Sequence, residues 1–217
     1  MKFRRKAADE PVPEDEGSSE LLDAPAVPDE APTAGPYDVA DVGDDGVERV
    51  DLGSLLITPE AGRELRLQVD ENTQSVQSVV LAGSDGALEL RAFSAPRGGD
   101  LWSEVRPQVA ADMARRGGTA TEREGAFGTE LVCQLTVQSP DGKTATQPSR
   151  IVGINGARWM LRATFLGRPA LDPEGAEGWD DTLRSVVVRR GEHAMPVGDP
   201  LPLVLPANAR RQAPPAG

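Results

Sequence analysis

Residues 150–166 read RIVGINGARWMLRATFL, which is two apolar runs joined by the pair Asn155-Gly156. Both residues of such a pair tolerate positive φ, so the sequence predicts a type I′ turn and an antiparallel hairpin. A two-residue loop would set Val152 opposite Trp159. Alternation along the two arms predicts one apolar face that belongs to the core. Its members are Val152, Ile154, Trp159, Leu161, Ala163 and Phe165.

The opposite face of this hairpin carries Ile151, Arg158, Met160, Arg162 and Thr164. Arg158 and Arg162 are about 7 Å apart along an ideal strand. Two guanidiniums at this spacing can hold a carboxylate or a phosphate. They can equally pair with surface carboxylates or cover the sheet with their stems. We therefore take Arg158, Met160 and Arg162 as the candidate anion-binding or partner-binding surface.

Apolar runs on both sides of the hairpin predict further strands, separated by turn residues such as those at 84–86 and 140–142. Residues 50–57 predict either an entry strand or a short docked segment. Most of these strands follow one another without an intervening helix, which predicts an antiparallel sheet. The other predicted strands cover residues 65–69, 76–81, 87–93, 119–124, 129–137, 144–154 and 186–189.

Two main helices are predicted. The first follows Asp100 as a cap, has an apolar stripe from Trp102 to Met113, and ends at Gly117-Gly118. Pro107 predicts either a kink or a helix that starts nearer Arg106. The second covers about residues 174–185. The predicted class is therefore α+β, a mostly antiparallel sheet with two main helices.

Charge is unevenly distributed along the 217 residues, whose net charge is −12. Residues 1–46 hold 13 acidic and 4 basic side chains, and 47–217 hold 22 and 19. The first segment, rich in Pro, Ala, Asp and Glu, cannot bury enough apolar surface to fold. We predict a disordered acidic tail over 1–46, a single domain over 47–206 and a frayed end over 207–217. The acidic balance disfavours nucleic-acid binding.

No catalytic, metal or cofactor site is predicted. Cys133 is the only cysteine and lies on the apolar side of a strand, and His193 is the only histidine. A structural zinc site needs about four nitrogen or sulfur ligands. Asp180 and Asp181 are expected to favour the first turn of the second helix. Phosphate-loop and nucleophile-elbow patterns are missing from the sequence. The three tryptophans are expected to be large side chains of the core.

The basic residues 2–6 precede an acidic stretch with no apolar segment, so export is not expected and the cytoplasm is the predicted location. No apolar run approaches the roughly 20 residues that span a bilayer. The basic cluster is read as part of a solvated tail. Docking of this cluster to a partner or to a membrane surface is the alternative.

Several segments carry a family resemblance: residues 1–6 ahead of the acidic stretch, 50–55 (VDLGSL), 92–97 (AFSAPR) with Leu101-Trp102, 153–162, 188–191 (VRRG) with Met195-Pro196, and 201–203 (LPL). With these the chain resembles actinobacterial proteins that are grouped as a domain of unknown function and often encoded near dUTPase. This resemblance implies no activity and no catalytic residue. The element order is also similar to the Mog1/PsbP-like fold, which is used mainly by non-enzymatic binding and assembly-factor proteins.

These observations favour a non-enzymatic cytoplasmic protein-interaction module that uses no cofactor. A small-anion or metabolite-binding domain using Arg158 and Arg162 is the alternative. Peripheral membrane attachment through residues 2–6 is a third reading. The oligomeric state stays open.

Overall fold

A computed structural model describes residues 35–138, 142, 144–172 and 177–206. Most of the predicted acidic tail (residues 1–34), the predicted frayed end (residues 207–217) and most of the predicted turn at 140–142 lie outside the described residues. The described part is an α+β fold built on mostly antiparallel sheets, as the sequence predicts.

A seven-stranded antiparallel sheet is the centre of the domain, with strand order β4-β5-β6-β10-β9-β8-β7. Successive side chains of a strand point to opposite faces of the sheet, and apolar side chains occur on both faces here, so both can pack. Every predicted strand between residues 65 and 166 is confirmed, with small changes at the ends. The strands are β4 (Glu64–Val69), β5 (Val76–Ala82), β6 (Gly86–Ser94), β7 (Thr119–Gly125), β8 (Gly128–Gln138), β9 (Thr144–Asn155) and β10 (Trp159–Gly167).

The β9–β10 hairpin forms with a different register. Val152 pairs with Ala163 rather than Trp159, and the amide of Gly156 donates to the Trp159 carbonyl at 2.8 Å. The turn is therefore centred on Ala157 and Arg158. The turn moves by two residues along the chain and the partner of Val152 by four, an even number, so the predicted core face is retained.

The reason for the shift lies in what Asn155 and Gly156 do. Neither has positive φ. The Asn155 side chain accepts from the backbone amide of Trp102 and donates to Asp100, which ties the hairpin to the start of the first helix. Gly156 has no side chain because the Trp159 indole occupies that space, 2.1 Å from where a Cβ would lie.

A second, four-stranded sheet has the order β1-β11-β3-β2. It consists of β1 (Tyr37–Asp38), β2 (Val50–Asp51), β3 (Leu55–Ile57) and β11 (Val187–Val188). The domain therefore starts before the predicted boundary at residue 47. The carboxylate of Asp38 accepts from the buried Trp159 indole at 2.8 Å, and β1 pairs with β11. Composition alone does not reveal such a specific contact.

Three helices are described: α1 (Leu101–Arg115), α2 (Arg168–Leu171) and α3 (Glu177–Arg184). Asp100 caps α1 by accepting from the Ser103 amide, and hydrogen bonds to this carboxylate lower its pKa. Of the two alternatives for Pro107, a helix that starts near Arg106 is wrong, because α1 begins at Leu101 and contains Pro107. The second predicted helix, over about residues 174–185, is described from Glu177 to Arg184, and residues 173–176 lie outside the described residues. α2 occupies part of what was predicted as a loop.

The seven-stranded sheet separates two apolar cores. One lies between this sheet and the layer formed by the small sheet and α3, and contains Trp159, Phe165 and Trp179. The other lies under α1 and contains Trp102, Cys133 and Met160. All three tryptophans are buried, as predicted. Leu201, predicted on the surface, is also buried: its side chain packs into the first of these cores, and its amide donates to the Ala92 carbonyl in β6.

Candidate functional site

One face of the large sheet is only partly covered. α1 packs against β7, β8 and β9. Under α1 the side chains are apolar and buried, as at Leu131 and Ile151. Beyond α1 the same face continues onto β10 and β6 with partly exposed side chains. We call these five residues the open face: Glu89, Arg91, Phe93, Arg162 and Thr164.

Two arginines face each other on the open face. Arg162 of β10 is directly opposite Arg91 of β6 in the antiparallel register. Their side chains therefore emerge on one side of the sheet, with Cβ atoms about 4.5–5.5 Å apart. Both guanidiniums stack on the ring of Phe93, with carbon-to-centroid distances of 5.8 Å for Arg91 and 5.3 Å for Arg162. Like charges in this position repel each other.

The positive charges of Arg91 and Arg162 are not balanced by ion pairs among the described residues. Burial lowers the pKa of Arg162, the charge of Arg91 lowers it further, and Glu89 acts in the opposite direction. No side chain of the described residues forms an ion pair with either arginine. Arg91 donates from Nη2 to Gln77 at 3.4 Å, while its buried Nε has no partner. The pair can thus donate to an anion.

The three residues predicted as a binding surface are not placed together as expected. Arg158 lies in the turn, and its Nη2 donates to the Gly191 carbonyl at 3.0 Å. Met160 is 1% exposed and packs under α1, so its side chain is not on an accessible surface. Arg162 is on the open face, and its neighbour there is Arg91 rather than Arg158.

A second cluster of charges lies on the other face of the sheet. Arg150 of β9 is 1% exposed and stacks on Phe165, with the guanidinium carbon 4.0 Å from the ring centroid. It pairs with Glu130 of β8 at 3.4 Å and with Asp180 of α3 at 2.5 Å. Arg123 of β7 also pairs with Glu130. A cavity of about 380 Å³ adjoins the cluster.

This cluster joins α3 to the edge of the sheet. Its two arginines and two carboxylates balance, and each guanidinium has a carboxylate partner. Asp180, expected in the first turn of the second helix, lies early in α3, where it is 6% exposed and pairs with Arg150. Such a network has a structural role because a buried charge is stable only when it is paired.

The chain has one cysteine and one histidine. Cys133 is buried, and burial raises the pKa of its thiol. His193 is exposed, as predicted. Among the described residues, no three His, Cys, Asp or Glu side chains are placed to hold a metal ion. No helix in that part of the chain has the length and apolarity needed to cross a membrane.

Sequence reasoning missed Arg91 and Arg150. Arg150 has a local signal, because it lies two residues before Val152 on the predicted core face of β9. An arginine at such a position indicates a buried, paired charge. Arg91 alternates with Leu90 and Ala92, which places it on the polar side of its strand. Its pairing with Arg162 requires knowing that β6 and β10 are neighbours.

Comparison with known proteins identifies the family. Residues 35–212 match the family model described as "Protein of unknown function (DUF3710)". The chain belongs to this family. The match begins two residues before β1, in agreement with the early start of the domain.

No curated protein matches this member of the DUF3710 family. A crystal structure of a protein from Bacteroides thetaiotaomicron VPI-5482 shows a likeness with 12% sequence identity and a TM-score of 0.38. It covers 65% of this chain and 47% of that chain, so the chain spans about half of its length. A likeness at this level carries no argument about fold or function.

Proposed function

We propose that the protein is a non-enzymatic cytoplasmic protein-interaction module that binds an acidic segment of a partner on the open face. The observation that carries the proposal is the pair Arg91 and Arg162, two positive charges side by side with no carboxylate partner in the part of the chain that the structure describes. Charge complementarity of this kind selects partners and steers their encounter. The ring of Phe93 adds apolar contact area beneath the two charges.

The extent of the face also favours a macromolecular partner. It continues from β10 and β6 toward β5 and the edge strand β4, where Arg66 forms an ion pair with Glu64. None of the five residues of the open face lines the cavity beside Arg150 or the one beside Arg66, whereas small-molecule sites are enclosed. An extended acidic segment would lie across the strands and reach both arginines.

The test is affinity capture from the native cell with the full chain and two variants. Arg91→Gln/Arg162→Gln removes the unpaired charges. The matched control Arg115→Gln/Arg168→Gln removes two charges from exposed arginines that have carboxylate partners. We expect one partner to be held by the wild type and the control but lost by the first variant. Its acidic segment, as a purified peptide, should then bind the wild-type chain directly.

Equal retention of every partner by both variants would contradict the proposal, as would the lack of any partner. In the second case the alternative, a small-anion or metabolite-binding domain using the same guanidiniums, becomes the working hypothesis. Membrane contact is not part of the proposal, and co-sedimentation with anionic vesicles would contradict it. The closer kinship with actinobacterial proteins encoded near dUTPase, and with the Mog1/PsbP-like fold, stays a prediction.

A further inference from the structure

We infer that Arg91 and Arg162 together bind one phosphate group, either on a phosphorylated partner segment or as a small phosphate-bearing molecule. The inference rests on the proposed use of the open face and specifies the chemical group that binds there. It makes a separate claim, because an acidic segment can bind through carboxylates alone.

The geometry offers two donor forks to one ligand. A guanidinium presents paired N–H groups in a plane, and a carboxylate matches one such fork with both oxygens, so two arginines on one carboxylate must share them, as Arg123 and Arg150 share Glu130. A phosphate has oxygens in tetrahedral directions and can accept from two forks that approach from different sides. Arg91 and Arg162 extend from directly opposite positions on neighbouring strands, and their guanidinium carbons lie 5.8 Å and 5.3 Å from the centre of the Phe93 ring, so one ligand beside this ring is within reach of both.

The donors of this pair are also largely unused. The contact from Arg91 to Gln77 is long, and no described oxygen accepts a hydrogen bond from Arg162. A phosphate monoester carries about −1.5 to −2 charges near neutral pH, which compensates two guanidiniums, whereas one carboxylate compensates only one.

Glu89 is the group that opposes such a ligand. It lies two residues before Arg91 on the same face of β6, about 7 Å away along the strand. It is not an ion-pair partner of Arg91 or Arg162. Its charge should therefore weaken phosphate binding without blocking it, and removal of this charge should tighten binding.

The experiment is NMR of the arginine Nε–Hε signals of the full chain during titration at constant ionic strength. The probes are inorganic phosphate, a phosphoserine peptide and the same peptide with Glu instead of phosphoserine. We expect the Arg91 and Arg162 signals to shift with both phosphate probes and more weakly with the Glu peptide. Arg91→Gln or Arg162→Gln should raise Kd about tenfold or more, Arg115→Gln less than about twofold, and Glu89→Gln should lower Kd.

The outcomes separate the inference from the proposed function. A partner that requires both arginines, while no phosphate probe shifts their signals, overturns the inference and leaves the function. Phosphate binding that both arginines support, without any protein partner, supports the inference and overturns the function. Equal binding of the phosphoserine and Glu peptides overturns the preference for phosphate. Binding of inorganic phosphate but of neither peptide assigns the site to a small molecule.

Discussion

The same contact, an arginine stacked on a phenylalanine of the neighbouring strand, occurs on both faces of the large sheet. Arg150 lies over Phe165 on one face and Arg162 over Phe93 on the other. Arg150 is buried and held by two carboxylates. Arg162 is partly exposed, and the charge nearest to it in the register is that of Arg91.

The difference between these sites is the countercharge. A charge that is sealed in the core must be compensated by the fold itself, so the Arg150 cluster is a structural element. A pair of charges on an accessible face can be compensated by a ligand instead. The stacked ring is common to both and therefore does not distinguish the two roles.

The largest expected effect is on stability, from Arg150→Met. This change leaves Asp180 without its buried partner, so we expect the free energy of unfolding to fall by about 3–5 kcal/mol. Urea denaturation of the full chain measures it. The matched control is Arg162→Met, the same substitution on the other face, with an expected loss of stability below about 0.5 kcal/mol. Equal losses for the two variants would mean that countercharge does not separate the sites.

A smaller effect is expected from Asp180→Asn, which keeps the shape of the side chain but removes its charge. Arg150 then resembles Arg162 in lacking that countercharge, and the expected loss is about 1–3 kcal/mol. The control is Asp181→Asn on the same helix, whose exposed carboxylate pairs with Arg184. It should cost less than about 1 kcal/mol in the same unfolding experiment. A larger loss at Asp181 would reverse the assignment of the buried partner.

The smallest effect is expected from Arg91→Gln without ligand. Removing one of two facing like charges should stabilise the fold by about 0.2–1 kcal/mol at low salt. Because salt screens exposed charges, the gain should vanish near about 1 M NaCl. Thermal unfolding at several salt concentrations measures it. A loss of stability that does not depend on salt would show that Arg91 serves packing rather than binding.

The faces of the strands could be predicted from the sequence, because alternation has a period of two residues regardless of register. The apolar side of β10 is an example, because it is the same side after the turn of the hairpin has moved by two residues. The register could not be predicted, since Asn155 is a common turn residue that here contacts Asp100 and the amide of Trp102 instead.

The face of the strand that carries Arg162 could be predicted from the sequence, but the burial of Met160 and the pairing of Arg162 with Arg91 could not. Met160 and Arg162 are on the same face of the same strand, yet Met160 is buried under α1 and Arg162 is not. The residue pattern of a strand does not indicate which part of its face a helix covers. The partner of Arg162 depends on strand order, which is set by contacts between residues far apart in sequence.

The last described segment has a consequence for how the protein is made. The amide of Leu201 donates to the Ala92 carbonyl in the large sheet, and the amide of Val204 donates to the Leu52 carbonyl beside the small sheet. β11 lies between β1 and β3, which were translated about 130 residues or more before it. Domains generally fold as units during synthesis. The small sheet therefore cannot be completed on the ribosome until β11 has emerged, and a nascent chain stalled before residue 187 should stay sensitive to protease.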